Sequence, residues 1–100
     1  MRRTHALIQV ALAMMDDPGA RHWGYDLSRR SGVRSGVLYP VLSRMLELHW
    51  ISDGWEPDAD AVGRPARRYY TLTDRGHREL GGVLEAARSD PRFAALFRWA

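Results

Sequence analysis

The chain has no cysteine and no lysine among its 100 residues. The first absence excludes disulfides and cysteine-ligated zinc fingers, and it suits a reducing compartment. The second means that all fifteen cationic residues are arginine. Arginine's planar fork matches phosphates and guanine edges. A GC-rich coding bias that exchanges lysine for arginine throughout would leave the same composition, so composition alone does not decide. Long hydrophobic runs are also missing. The longest candidate, residues 6–15, has ten residues where a bilayer needs about twenty. Arg2 and Arg3 ahead of it resemble a short signal peptide, but Gln9 interrupts the run and no Ala-x-Ala site follows. The run is therefore expected to stay as a helix of a cytoplasmic protein.

Catalytic equipment is missing too. There is no Gly-rich phosphate loop, no nucleophile elbow and no convincing carboxylate pair, so no catalytic residue is assigned and no enzyme activity is expected. His5, His22, His49 and His77 do not share ligand spacing on one helix, and no metal or other cofactor is expected. Asp58 and Asp60 read as solvated loop acids. Repeats and low-complexity tracts are absent.

What is present fits one small domain. With 45% hydrophobic and 27% charged residues the composition is that of a globular protein rather than a disordered one. A chain of this size buries roughly 60–70% of its unfolded surface, so the core is thin and a partner subunit would help. The net charge is only +3, and its distribution says more. Residues 29–44 hold Arg29, Arg30, Arg34 and Arg44 without an acid. Residues 63–78 hold Arg64, Arg67, Arg68, Arg75 and Arg78 against Asp74 alone. Between them Asp53, Glu56, Asp58 and Asp60 form an acidic stretch. Such segregation predicts a directional field that steers a polyanion to one side of the molecule.

The periodicities predict a helix-helix-helix-strand-loop-strand-helix order. Thr4 caps a first helix to about Met15 whose apolar residues cover nearly its whole circumference. That predicts burial on more than one side, by the domain core and by a second subunit. A short second helix, Tyr25 to Ser31, stops at Gly32. Ser35 is expected to cap a third helix reaching about Leu48. Leu38, Val41, Leu42, Met45, Leu48 and His49 fall on one face, with Gly36, Tyr39, Pro40, Ser43, Arg44 and Glu47 opposite. Ile51–Glu56 and Arg67–Leu72 read as an antiparallel pair of strands around a Pro/Gly/Asp loop, residues 57–66. Trp50, Trp55, Tyr69 and Tyr70 are expected in core and sheet-face packing. Thr73 caps a fourth helix carrying Leu80, Val83, Leu84 and Ala87. Pro91 is expected at the first position of a last helical stretch with Phe93, Leu96, Phe97 and Trp99.

A helix with a small, polar exposed face, followed by an arginine-tipped hairpin, is what gripping duplex DNA needs. One element enters the major groove and the other holds the flanking backbone. Arg34, Ser35, Gly36 and Ser43 surround the third helix's N-terminus, where free amides and the dipole favour a phosphate. Tyr39 is read either as a tyrosine packed over the turn or as a hydroxyl at a phosphate or base edge. Pro40 removes one helical hydrogen bond, which either bends the helix to fit a groove or simply reflects a near-terminal position. Arg44 reaches a phosphate or is merely solvated. Glu47 should lie away from DNA. Arg64, Arg67 and Arg68 bracket Pro65 at the wing tip and are assigned to phosphate contact.

Three motifs carry a resemblance. Trp23-Gly24-Tyr25-Asp26-Leu27, Gly36-Val37-Leu38-Tyr39-Pro40-Val41-Leu42 and the run from Gly63 to Thr73, with Gly76 beyond it, resemble the PadR family of bacterial transcriptional regulators over about residues 5–80. The resemblance implies an α+β, mostly helical winged helix-turn-helix with a two-stranded antiparallel wing and a C-terminal dimerisation helix. Residues 1–75 would form the DNA-binding domain and residues 76–100 the dimerisation segment of a single compact unit. It implies a homodimeric repressor on a palindromic operator. Tyr39 and its neighbours would approach the DNA, and the wing arginines would meet phosphates or the minor groove. Leu7, Val10, Ala11, Met14, Leu80, Val83, Leu84, Ala87, Phe93 and Phe97 would make the dimer. Val37 stands where the family usually has a hydroxyl residue, so the backbone or phosphate hydrogen bond that the resemblance implies there does not carry over. Some members bind planar aromatics between subunits through an aromatic in the last helix, yet Leu84 to Arg88 has none. A small aromatic inducer therefore stays open, as do two rival readings: a winged-helix module that binds protein, and a ligand sensor with weak intrinsic DNA affinity.

Overall fold

Thr4 starts the first helix with an extended backbone and a hydroxyl that accepts from the Leu7 N–H at 3.1 Å. This satisfies one of the amides a helix start leaves open, a contribution of about 1 kcal/mol. In the computed structural model, which describes residues 1–98, helix α1 then spans His5–Met15. Trp99 lies outside the described residues. Leu7, Ile8, Val10, Ala11, Ala13 and Met14 of α1 are buried, and helices α2 (Gly24–Ser31), α3 (Ser35–Glu47) and α4 (Asp74–Arg88) pack around it. The apolar circumference of α1 is thus covered largely from within the chain. Of its apolar residues Ala6, Leu12 and Met15 remain half-buried.

The residues assigned to dimerisation sit in the same place. Leu7, Val10, Ala11, Met14, Leu80, Val83, Leu84, Ala87 and Phe93 are all buried core residues within the protomer, and Phe97 alone is half-buried. A side chain without accessible surface removes no further apolar area from water when a second copy docks. These residues stabilise the protomer directly.

The sheet has three strands rather than two. Strand β1 (His22–Trp23) pairs antiparallel with β3 (Arg68–Leu72), which pairs antiparallel with β2 (Ile51–Trp55), in the order β1-β3-β2. The register sets His22 opposite Tyr70, Tyr70 opposite Asp53, and Arg68 opposite Trp55. A two-residue strand has no alternation to read, and it is defined here only by its long-range partner. Between β2 and β3 the loop contains one 3-10 turn, Asp58–Asp60.

Local signals end and begin the other elements. Gly32, at φ 73°, closes α2 in the left-handed conformation that glycine tolerates. Arg34, one residue before the expected Ser35, is the N-cap of α3, and it makes no side-chain capping bond. His49 is not on the helix face but beyond it, at φ 59°. Its carbonyl accepts from the Thr73 hydroxyl at 2.6 Å, and the Thr73 N–H donates to the Trp50 carbonyl at 3.0 Å. Thr73 also caps α4 by accepting from the Gly76 N–H at 3.0 Å. Trp50 is buried and Tyr70 is buried, as expected, but Trp55 is 65% exposed. After α4 the chain makes turns at residues 91–93 and a single 3-10 turn, Ala94–Phe97, rather than a helix starting at Pro91.

Candidate nucleic-acid interface

The division of α3 is clean. Leu38, Leu42 and Met45 are buried, Val41 is half-buried, and Arg34, Ser35, Gly36, Tyr39, Pro40, Ser43 and Arg44 are all exposed. Burying one stripe against α1 and α2 leaves the other stripe nowhere but in solvent. Pro40 lies inside the unbroken helix and offers no N–H to the Gly36 carbonyl one turn earlier. That carbonyl, on an exposed residue, lacks the donor that a helix ordinarily supplies four positions on. The Ser35 and Gly36 amides precede the first helical bonds, which the Val37 and Leu38 N–H groups donate to Arg34 at 2.9 and 2.8 Å.

Beside this face lies a cleft of about 580 Å³, lined by Trp23, Gly24, Tyr25, Asp26, Tyr39, Glu56, Arg67, Arg68 and Tyr70. It joins α3, the N-terminus of α2 and the inner side of the wing, so Tyr39 and the wing arginines border one space. Tyr39 is 46% exposed, and its ring lies over Gly24. Packing and exposure coexist in this side chain. Burial pushes the Tyr70 hydroxyl upward against the opposing effect of the Arg68 guanidinium, keeping it a neutral hydrogen-bond donor.

The arginines are not equivalent. Arg44 pairs with Glu47 one turn on, at 3.0 Å, with both side chains more than half exposed. Arg68 pairs with Asp53 across the strands, its Nε donating at 2.7 Å, and its guanidinium lies 5.4 Å from the Tyr70 ring centroid. Arg64 pairs with Glu56. Arg34 and Arg67 are exposed and form no salt bridge among the described residues. The segregated charge blocks of the sequence are therefore partly cross-neutralised, because β2 and β3 lie side by side and bring the acidic stretch onto the wing arginines. An exposed pair contributes only about 0–1 kcal/mol and opens readily toward a phosphate, so pairing at Arg44 and Arg68 lowers the field without removing these cations. Glu47, expected to lie away from DNA, is engaged with Arg44.

Several cleft residues were not assigned as site residues from sequence. Trp23, Asp26 and Tyr25, which is 75% exposed, reach the cleft from the start of α2. The spacing of buried Gly24, Leu27 and Ser31 carries a signal for Tyr25, since it sets residue 25 on the helix's outer side. Glu56 is another. Only the fold shows that this loop-edge acid is 9% exposed and paired.

Among solved structures, smu.1704 from Streptococcus mutans shares 24% identity with this chain at a TM-score of 0.65, covering 83% of this chain and 77% of that one. A PadR-like transcriptional regulator from Bacillus cereus matches at 21% identity and a TM-score of 0.63, over 92% and 90% of the two chains. The PcaV transcriptional regulator from Streptomyces coelicolor, solved in complex with its natural ligand, matches at 22% and 0.60, over 95% and 69%. Identities this low establish the shared winged-helix fold. No curated protein sequence matches. The family model of the transcriptional regulator PadR-like family matches residues 20–82, which takes in β1, the α2–α3 pair, the wing and the start of α4. This chain, with its exposed α3 face and its arginine-bearing wing, belongs to the PadR-like family of transcriptional regulators.

Proposed function

We propose that the protein is a homodimeric repressor that binds a palindromic operator and occludes a promoter. In this reading Arg34, Ser35, Gly36, Tyr39, Pro40, Ser43 and Arg44 approach the major groove while Arg64, Arg67 and Arg68 belong to the wing that holds the flanking backbone. One observation carries the reading: the whole assigned face of α3 is exposed while its opposite stripe is buried, and Tyr39 shares a cleft with Arg67 and Arg68. A homodimer's twofold axis would set its two α3 helices about 34 Å apart in successive major grooves.

Because all of the residues assigned to dimerisation except Phe97 are buried, contact with a second copy falls to Phe97 and to half-buried apolar neighbours, including Leu12, Met15 and Leu96. Residues 76–100 supply part of that surface and residues 1–75 the DNA-binding unit, which acts in the cytoplasm. No described helix is long and apolar enough to cross a membrane. An aromatic inducer is the second reading, favoured by a groove of about 670 Å³ where Leu12, Met15, Leu84 and Leu96 meet Arg30 and Arg88. A planar acid could lay its ring on the apolar wall and its carboxylate on a guanidinium.

Selection of bound fragments from random duplex DNA, followed by gel-shift at low and physiological salt, tests the main reading. A recovered inverted repeat, retained with steep salt dependence, is the expected result. Indifference to every duplex at low salt would instead favour a protein-binding winged helix. Tryptophan fluorescence titrated with aromatic acids tests the inducer, and a flat response counts against it.

A further inference from the structure

Glu56 is the least exposed acid of the wing, and four hydrogen bonds converge on it. Its carboxylate accepts from both terminal nitrogens of Arg64, the Nη2 bond being 3.2 Å, and from the Arg67 backbone N–H at 3.0 Å. Its own backbone N–H donates to the Arg67 carbonyl at 2.8 Å. The ten intervening residues, 57–66, form a loop whose two ends meet here, so a single carboxylate closes it. Arg64 also donates to the neighbouring Pro65 carbonyl at 3.2 Å, which consumes more of its donors within the loop. The bond from Arg64 holds the Glu56 carboxyl below its ordinary range, and the Arg67 amide adds to this, while desolvation opposes it. Turning Arg64 outward to a phosphate would strand a largely buried carboxylate, a costly state wherever solvent cannot replace the lost partner.

We propose that Glu56 is a positioning residue of the wing: it locks Arg64 inward as a loop clamp and thereby presents the neighbouring Arg67 side chain as the phosphate contact. This rests on the DNA-binding reading and divides the wing arginines by role. Arg67 is exposed, borders the cleft with Tyr39, and has no salt bridge among the described residues. A residue that neutralises a phosphate releases counterions, whereas one already saturated by a carboxylate does not. The slope of log affinity against log salt therefore separates the two roles.

The experiment measures that slope on a non-specific duplex for the wild type, Arg67→Met, Arg64→Met and Glu56→Gln/Arg64→Met. Arg67→Met should flatten the slope by about 0.9, which reduces the affinity lost between 50 and 200 mM salt by about 3.5-fold. Arg64→Met should weaken binding with the slope unchanged, because it loosens the loop without removing a phosphate contact. The double variant keeps an acceptor for the Arg67 amide without the stranded charge, and it should recover affinity. An Arg64→Met slope that falls as far as that of Arg67→Met overturns the proposal. Amide hydrogen exchange of Arg67 in the free protein tests the clamp without DNA. Glu56→Ala should abolish the protection of that amide, and unchanged protection overturns the clamp. If the wild type retains no duplex while Arg67 protection still depends on Glu56, the DNA reading has failed and the phosphate role of Arg67 with it.

Discussion

The ring of Tyr39 fills the space in which a side chain at residue 24 would begin: a Cβ on Gly24 would run into the Tyr39 hydroxyl. This contact between the start of α2 and the exposed face of α3 sets where the tyrosine points. Gly24→Ala should therefore cost only about 0.5–1 kcal/mol in urea denaturation, because the half-exposed phenol can swing away into solvent. Tyr39→Phe removes the nearest colliding atom, so the double variant should be less destabilised than the sum of the single changes. Strict additivity would mean that the two residues do not meet in solution.

Gly76 and Gly82 stand on the same helix with opposite consequences. A Cβ at Gly76 would overlap the Trp50 carbonyl, a backbone atom that cannot rotate away, whereas one at Gly82 meets nothing within 4 Å. Gly76→Ala should lower stability by about 3 kcal/mol or more, since the α3–β2 connection has to shift. Gly82→Ala should raise it by roughly 0.5–1 kcal/mol through helix propensity. Thermal melts of the two variants decide this, and equal shifts would contradict the packing of α4 on Trp50.

Folding stability should fall on mild acidification because of His22. Its ring is 2% exposed. The Arg30 Nη2 donates to Nδ1 at 2.9 Å, which places the ring proton on Nε2, facing the Asp17 carbonyl at 3.0 Å. Burial and then the Arg30 guanidinium hold the imidazole below its ordinary value of 6.5, with the Asp17 carbonyl opposing them. The unfolded chain thus takes up this proton at higher pH than the folded one. The His22 contribution is complete above the unfolded pKa and is lost progressively as pH drops from about 6.5 toward the folded value. His22→Gln, which can still donate to Asp17 and accept from Arg30, should flatten the curve over that window. A wild-type profile already flat between pH 7 and 5 would refute the buried neutral imidazole.

Freeing Arg44 should strengthen DNA binding. Its pair with Glu47 is exposed on both sides, so Glu47→Gln should change stability by less than about 0.5 kcal/mol. It also releases a guanidinium on the α3 face and removes a negative charge from it. Gel-shift titration should show tighter retention with a salt slope steeper by up to about 0.9. No change in slope would place Arg44 outside the phosphate contacts.

Much of this molecule is legible locally. Thr4 and Thr73 cap their helices as expected, and Gly32 stops α2, because a cap depends on residues only a few positions apart. The two faces of α3 follow from a period of 3.6 and nothing more. Trp55, by contrast, has the composition of a packed residue and the exposure of a surface one. Its environment is set by which strands flank it, and β2 lies at the sheet's edge.

The linear order of apolar, capping and glycine residues was enough to determine helices α1 to α4, the β2–β3 pair of the wing, the exposed face of α3 and the kinship with PadR-like regulators. These are short-range properties, encoded by spacing along the chain. Tertiary structure alone decided that β1 joins the sheet, that α1 and α4 bury their apolar faces on each other, and that, among the described residues, Arg64 and Arg68 are met by acids while Arg34 and Arg67 are not. Charge pairing and burial depend on contacts between residues far apart in sequence, and only the folded chain brings those together.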